Sequence, residues 1–341
     1  MKRFAFQKRA SALREKLANI PPDAAWIIQP ENRRYLSGFK AGDAQLNESS
    51  GSLLINQKKN LLITDSRYET EARKEAPDFK VTLFNKGLLE GLPDFIKPLG
   101  TKKLGFEEDH LIWGLHRQLA KKMRKLDPPV RLSPLNGLVD DMRVVKDKDE
   151  IKAMAASAKL MSEVLGEVIE NLDPELSEMD IAWQIEGLAL EGGAEDLAFP
   201  SIVASGPNGA LPHAVPTKRK LGAGKPIVLD VGLKLDGYCC DMTRTIFLGK
   251  PVPRFRKIYN VVRQAQLAAL REIRPGVKST YPDSIARDVI KDAGFGDYFG
   301  HALGHGVGLA THERPRLSPQ GPTVLKEGMV VTVEPGIYLP G

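Results

Sequence analysis

The residues best suited to chemistry lie between Ile227 and Thr245, where Asp230 and Asp241 flank an Asp236-Gly237 pair bounded by strand-like runs. An Asp-Gly pair in that setting signals a two-residue hairpin turn. With the turn there, Leu235 faces Tyr238, Gly232 faces Asp241 and Asp230 faces Thr243. Asp230 and Asp241 then share one sheet face as a diagonal pair, ~7–8 Å apart at the backbone. Two carboxylates behind apolar Ile227, Val228 and Leu229 repel each other unless a cation or a proton separates them. A metal is the economical solution. The competing reading leaves one of the two as a solvated charge on the hairpin.

Histidines gather further on: His301, His305 and His312 fall within twelve residues, and imidazole is the commonest metal ligand. Gly300, Gly304, Gly306 and Gly308 oppose a regular helix, and in an extended chain His301 and His305 point to the same side. A packed core histidine is the alternative for His301. The run Gly328–Gly336 reads as a β-branched strand ending in Glu334, with Val330, Thr332 and Glu334 on one face. A Glu at such a position is rarely left unpaired, so a bound cation, a cap or a salt bridge are the open roles. Carboxylates with a single imidazole suit Mn²⁺, Co²⁺ or Zn²⁺, and the lack of thiolates in this set opposes a structural zinc site. Two aspartates on one face also suit a two-metal centre, for which hydrolysis is the natural chemistry.

These groups need a scaffold, and 341 residues suffice for two domains, each with its own core. An apolar share of 42% with 27% charged residues is that of a globular chain. The first ~130 residues alternate helix and strand, with strands at Ala24–Ile28, Ser52–Ile55 and Asn60–Thr64, and Leu13 and Leu17 mark an opening amphipathic helix. This predicts an α/β domain over residues 1–135, ended by the proline-containing stretch Asp127–Pro134 as linker. Residues 136–341 read as α+β, with helices over Ile151–Leu172, Asp180–Glu191 and Phe255–Ile273 and strands between and after them.

The 49 Lys and Arg against 43 Asp and Glu leave only +6, scattered along the chain, so nucleic-acid binding is not indicated. Apolar stretches fall far short of the ~20 residues that span a bilayer, and the basic N-terminus is interrupted by Gln7, Lys8 and Arg9 before a signal-peptide core develops. The only cysteines, Cys239 and Cys240, are adjacent and unsuited to pairing with each other, which suggests a reducing, cytoplasmic setting.

Taken together, these residues resemble the pita-bread metallopeptidases of the creatinase and methionine aminopeptidase type, in the Xaa-Pro aminopeptidase and Xaa-Pro dipeptidase branch. Asp230, Asp241, His305 and Glu334 match that family's metal-ligand positions in order and with its Asp-to-Asp spacing. Phe199–Asn208 and Pro212-His213 match the segment in which the family places a substrate-contacting histidine, taken here by His213. His312 matches its second active-site histidine and His301 one that lines the substrate pocket, while Glu334 also handles protons. Asn32–Phe39 and Thr64–Tyr68 look like the family's accessory N-terminal domain, absent from simple methionine aminopeptidases.

The resemblance implies a pita-bread catalytic domain, two divalent metal ions, Mn²⁺ ahead of Co²⁺ and Zn²⁺, a homodimer, and hydrolysis of peptides with proline in second position. Whether dipeptides or longer peptides are preferred stays open. In the family a further strand past Glu334–Tyr338 supplies an Arg and a last Glu bridging both metals, whereas this sequence ends at Gly341. A weaker second metal position is therefore expected. A metal-free, creatinase-like hydrolase and a catalytically impaired binding protein on the same fold are the alternatives.

Overall fold

A computed structural model describes residues 3–42 and 49–340 and separates into two compact units, Met1–Arg143 and Val144–Gly341. In the first unit, apolar and β-branched runs form strands β1 (Ala24–Ile27), β2 (Ser52–Asn56), β3 (Asn60–Thr64), β4 (Lys80–Leu83), β5 (Lys103–Phe106) and β6 (Arg131–Pro134). They make one mixed sheet in the order β4-β3-β2-β1-β5-β6, antiparallel through β1, β2 and β3 and parallel at both flanks. Helices α1 (Arg3–Leu17), α2 (Pro30–Ser37), α3 (Glu69–Glu75), α4 (Leu88–Ile96), α5 (Trp113–Arg124) and α6 (Leu138–Arg143) complete the unit. As the i,i+4 spacing predicts, Leu13 and Leu17 of α1 are buried.

The stretch Asp127–Pro134 is not the linker that its prolines suggest. Its last four residues are edge strand β6, paired in parallel with β5, and the break between units falls after Arg143. An edge strand tolerates Pro134 because the missing N–H has no ladder partner to satisfy.

The second unit opens with α7 (Lys148–Glu170), whose N-terminus is closed by a capping box between Asp147 and Glu150, and α8 (Glu178–Glu191), capped likewise by Ser177 and Asp180. Strands β7 (Asp196–Leu197), β8 (Ile202–Ser205), β9 (Pro226–Val231), β10 (Leu233–Leu235), β11 (Tyr238–Cys239) and β12 (Met242–Phe247) follow, and then helices α9 (Pro253–Glu272) and α10 (Thr280–Asp292). A short pair, β13 (Gly304–Gly306) and β14 (Glu313–Leu317), comes last. Met161, Val164 and Leu165 of α7 and Ile181 and Ile185 of α8 pack on Ile227, Leu229 and Val231 of β9. A separate cluster gathers Ala265, Ala269 and Ile290 of α9 and α10 around Leu303 and Leu317. Each helix pair thus covers one set of strands.

The hairpin forms as the Asp-Gly pair predicts. Asp236 and Gly237 have φ of +50° and +84°, the double positive that a type I′ turn requires. Leu235 pairs with Tyr238, and Asp230 with Thr243. Between the ladders β10-β11 and β9-β12 the chain bends at Gly232, where a Cβ would meet the Cys240 carbonyl oxygen at 2.3 Å and the Phe199 ring at 2.6 Å. Only glycine lets the backbones approach so closely.

The strand expected over Gly328–Glu334 is extended and lies antiparallel to the chain around β13, bridged from Val331 to Gly306. Its pairing with the chain before it keeps one antiparallel register, the Val307 amide donating to the Val330 carbonyl, the Thr332 amide to the His305 carbonyl and the Glu334 amide to the Leu303 carbonyl, and Pro335 has no N–H to continue it. The predicted alternation survives: Val331 and Val333 pack into the core, and Thr332 and Glu334 hydrogen-bond to each other.

At the end of β5 the first unit carries a buried carboxyl, Glu107. It accepts hydrogen bonds from the Ile28 and Gln29 amides at 2.6 and 2.8 Å and from Asn32 Nδ2 at 2.7 Å, tying β5 to the turn between β1 and α2. Burial outweighs these bonds and, with Asp140 nearby, pushes its pKa from 4.5 up to about 7. A folded-state pKa above the unfolded one means that the neutral form is favoured on folding. The stabilisation is complete below pH 4.5 and is lost as pH rises through 7. Chemical denaturation at pH 4.5 and pH 8 is expected to show that Glu107→Gln removes about 3 kcal/mol of the wild-type pH dependence. An unchanged dependence in the variant would contradict this account.

Candidate metal centre

Strand β9 alternates cleanly, with Ile227, Leu229 and Val231 buried under the helices and Asp230 on the opposite face. There Asp230 Oδ1 accepts a hydrogen bond from Thr243 Oγ1 of β12 at 3.0 Å. Asp241 immediately precedes β12, at the hairpin's bend. The bulge of β13 delivers His305, and the extended segment behind it delivers Glu334, whose amide donates to the Leu303 carbonyl at 2.9 Å. One hairpin and two later segments of the chain are thus brought to one place.

His305 Nε2 stands 3.4 Å from Asp241 Oδ2 and 3.2 Å from Glu334 Oε1. Among the described residues, Asp241, His305 and Glu334 are the group whose ligand atoms all lie within 4.8 Å of one another, a span that one cation can bridge. The Nδ1 atom of His305 lies 2.9 Å from the Gly306 carbonyl, to which it can only donate. In the neutral ring Nε2 then presents its lone pair to the cluster, the usual second contact of a metal-binding imidazole. Asp230 stays outside this tight group but feels it.

The electrostatics show a cluster short of positive charge. Burial, followed by repulsion from Asp241 and Glu334, pushes Asp230 up to about 7 against the Thr243 hydrogen bond. Burial lowers His305, yet the hydrogen bonds to Asp241 and Glu334 overcome it and push the imidazole up to about 10. Glu334 is held below the usual carboxylate value: burial raises it, but hydrogen bonds from His305 and Thr332 prevail. The donor set, three carboxylates and one imidazole without thiolate, fits a hard to borderline ion.

The remaining histidines divide. His312 is largely exposed, but its ring lies 4.3 Å from that of His305, and partial desolvation together with the His305 charge holds it below the ordinary imidazole value. Its loop is pinned by Glu313, whose side chain is 6% exposed: one oxygen accepts from the Ala310 amide and the other pairs at 3.0 Å with buried Lys146. Thr311 Oγ1 also donates to the Ala198 carbonyl at 2.9 Å. His301 lies beside the cluster, its Nδ1 2.8 Å from the Ala302 carbonyl and its Nε2 3.1 Å from the Tyr338 hydroxyl. Asp283 and Arg287 of α10 hold that segment through the Leu303 amide and the Phe299 and His301 carbonyls. His213 is exposed on a loop and does not join the cluster. Both ends of its loop are fastened to buried Glu178, which accepts from the Ser205 and Thr217 amides at 2.7 and 3.0 Å.

Three residues of the site carry no motif of their own. Thr243 and Thr332 bond Asp230 and Glu334, and both could be placed only through register and alternation. Tyr338 gives no signal in the sequence; burial and the charges of Glu334 and Asp230 push its hydroxyl up to about 12. No helix among the described residues is long and apolar enough to cross a membrane.

Comparison with known proteins adds to this geometry. Residues 152–341 match the model of metallopeptidase family M24, and residues 9–145 that of the creatinase/prolidase N-terminal domain. An Xaa-Pro dipeptidase of Pyrococcus horikoshii is 36% identical over 93% of this chain and 86% of its own length. Among solved structures, the Xaa-Pro dipeptidase from Bacillus anthracis superposes with a TM-score of 0.90 at 35% identity, covering 98% of this chain and 91% of that one. The X-Pro aminopeptidase from Thermotoga maritima gives 0.84 at 33% identity over the same shares.

With His305 and much of Asp230 protonated at pH 6.5, a divalent cation has to displace protons to enter. Mn²⁺ titrations by calorimetry, in buffers of different ionisation enthalpy, are expected to register proton release. Apparent affinity should rise by about tenfold per pH unit for each proton displaced. Binding that is indifferent to pH and releases no proton would refute this arrangement.

Proposed function

Because the chain belongs to metallopeptidase family M24 and carries a creatinase/prolidase N-terminal domain, we propose that it hydrolyses Xaa-Pro bonds, in dipeptides or at the N-terminus of longer peptides. The observation that carries this reading is the convergence of Asp241, His305 and Glu334 in a chain whose Xaa-Pro-specific relatives match it nearly throughout. A binding protein without catalysis is not favoured by this similarity.

Asp230, Asp241, His305 and Glu334 are the residues that would hold the metal. Mn²⁺ is the ion that the carboxylate-rich set supports best, ahead of Co²⁺ and Zn²⁺. A bound divalent cation supplies a Lewis acid for the scissile carbonyl. The chain's own groups do the rest. Glu334 Oε1, beside His305, accepts and returns the proton that moves during hydrolysis. His312, next to His305, donates a hydrogen bond to the developing oxyanion. His213, on its fastened loop, steadies the same oxygen or guides the leaving nitrogen. His301 lines the pocket, its ring held edge-on by Phe299 and Tyr338.

Proline suits such selection: its tertiary amide lacks an N–H and its ring is rigid, so a shaped pocket can distinguish it. The accessory domain supports a homodimer, and the buried free thiols of Cys239 and Cys240 support a reducing, cytoplasmic setting.

Ala-Pro should be hydrolysed in the presence of Mn²⁺ and Ala-Ala far more slowly; equal turnover would remove proline from the reading. Asp241→Ala is expected to keep its circular dichroism and to lose roughly two orders of magnitude or more in activity. His213→Ala should lower kcat about 100-fold with metal content unchanged, so loss of metal by this variant would contradict the role given to His213.

A further inference from the structure

Thr332 contributes a single hydroxyl, and that hydroxyl stands between the two chain segments that carry Glu334 and His305. Its Oγ1 lies 2.7 Å from Glu334 Oε1 and 3.0 Å from the His305 amide nitrogen. The amide can only donate, so Oγ1 accepts there. The hydroxyl proton then has two candidate acceptors, Glu334 Oε1 at 2.7 Å and the His305 carbonyl at 3.4 Å. The carboxylate is both nearer and charged, and charge-assisted bonds are roughly twice as strong as neutral ones. The proton therefore goes to Glu334.

The backbone around Thr332 is built for this contact. The Thr332 amide donates to the His305 carbonyl at 2.8 Å, so the residue is bonded to His305 through main chain and side chain together. A Cβ at Gly304 would lie 2.1 Å from the Thr332 carbonyl oxygen and 2.8 Å from Oγ1, so the close approach exists only because position 304 is glycine. On the other side, Val331 and Val333 are anchored in the core, which leaves Thr332 no freedom to turn away.

We propose that Thr332 is the positioning residue of the metal centre: its hydroxyl fixes the Glu334 carboxylate against the His305 backbone, so that both ligands are preset for one cation. This rests on the reading of Glu334 and His305 as ligands. Outer-shell partners of this kind are worth roughly 10–100-fold in metal affinity. Thr332→Val keeps the β-branched shape and removes both hydrogen bonds; Thr332→Ser restores them.

The test is Mn²⁺ affinity of the metal-free full chain, read by competition with a fluorescent chelator and accompanied by circular dichroism. Thr332→Val should weaken binding by roughly 10–100-fold, with unchanged secondary structure, and Thr332→Ser should bind within about threefold of wild type. Should valine at 332 prevent folding, Thr332→Ala removes the hydroxyl without placing a methyl where the oxygen stood and serves in its stead. Equal affinity in wild type and the hydroxyl-free variant, or a loss in Thr332→Ser as large as in Thr332→Val, overturns the proposal. Glu334→Ala separates the two levels of inference. If it leaves Mn²⁺ binding intact, the ligand reading fails and the Thr332 role with it; if it abolishes binding while Thr332→Val does not, the Thr332 role fails alone.

Discussion

Negative charge held together against its own repulsion is the constraint on which the second unit depends. Asp230, Asp241 and Glu334 come from separate stretches of chain and meet in a half-buried place where water cannot fully solvate them. His305 among them, raised to about 10, and Asp230, raised to about 7, show how strongly the site favours positive charge. A cation relieves the repulsion, since one divalent charge serves several carboxylates at once. Site chemistry and fold are therefore coupled through charge as well as through packing.

Holding such groups in place needs anchors that do not yield, and the unit supplies them as buried polar pairs. Glu178 fastens both ends of the loop that carries His213. Lys146 and Glu313, 1% and 6% exposed, fix the loop that carries His312. Asp283 and Arg287 hold the segment of His301 and Leu303. A buried ion pair adds little net stability compared with apolar packing, but breaking one partner costs about 3–5 kcal/mol because the other charge is stranded. Such pairs specify one loop conformation over its neighbours. The Gly308 backbone shows how tight that specification is, since a Cβ there would lie 2.6 Å from the Glu313 carboxylate.

Glycine and alternation do the remaining placement. Gly232, Gly304 and Gly306 each allow a backbone approach that any side chain would block. Along β9 and along Met329–Val333 every second residue enters the core, so the residues between them are turned toward the site. A one-residue slip in either segment would bury the carboxylate and expose the valines, which is why the register is firmly set.

Much of this was legible in the residues alone. The Asp-Gly turn has one favoured geometry, so the pairings Leu235–Tyr238 and Asp230–Thr243 followed from local sequence, as did the two helices read over Ile151–Leu172 and Asp180–Glu191, which the structure extends back to capping boxes at Asp147 and Ser177. Resemblance to a known family placed Asp230, Asp241, His305 and Glu334 in order, and period-two alternation already put Thr332 on the face of Glu334. What the sequence could not decide were matters of long-range contact. The stretch Asp127–Pro134 reads as a linker because its prolines break local patterns, yet pairing with β5 makes it a strand. The run to Glu334 reads as a strand because its residues favour one, but which segment it pairs with, the stretch from Leu303 to Val307, was decided by the fold. The closeness of Asp241, His305 and Glu334, the exposure of His213 and the bond from Tyr338 to His301 depend on distances between segments. Local propensity carries turns and alternation because their energies arise within a few residues, whereas the site arises only when the core packs and brings separate segments within reach of one ion.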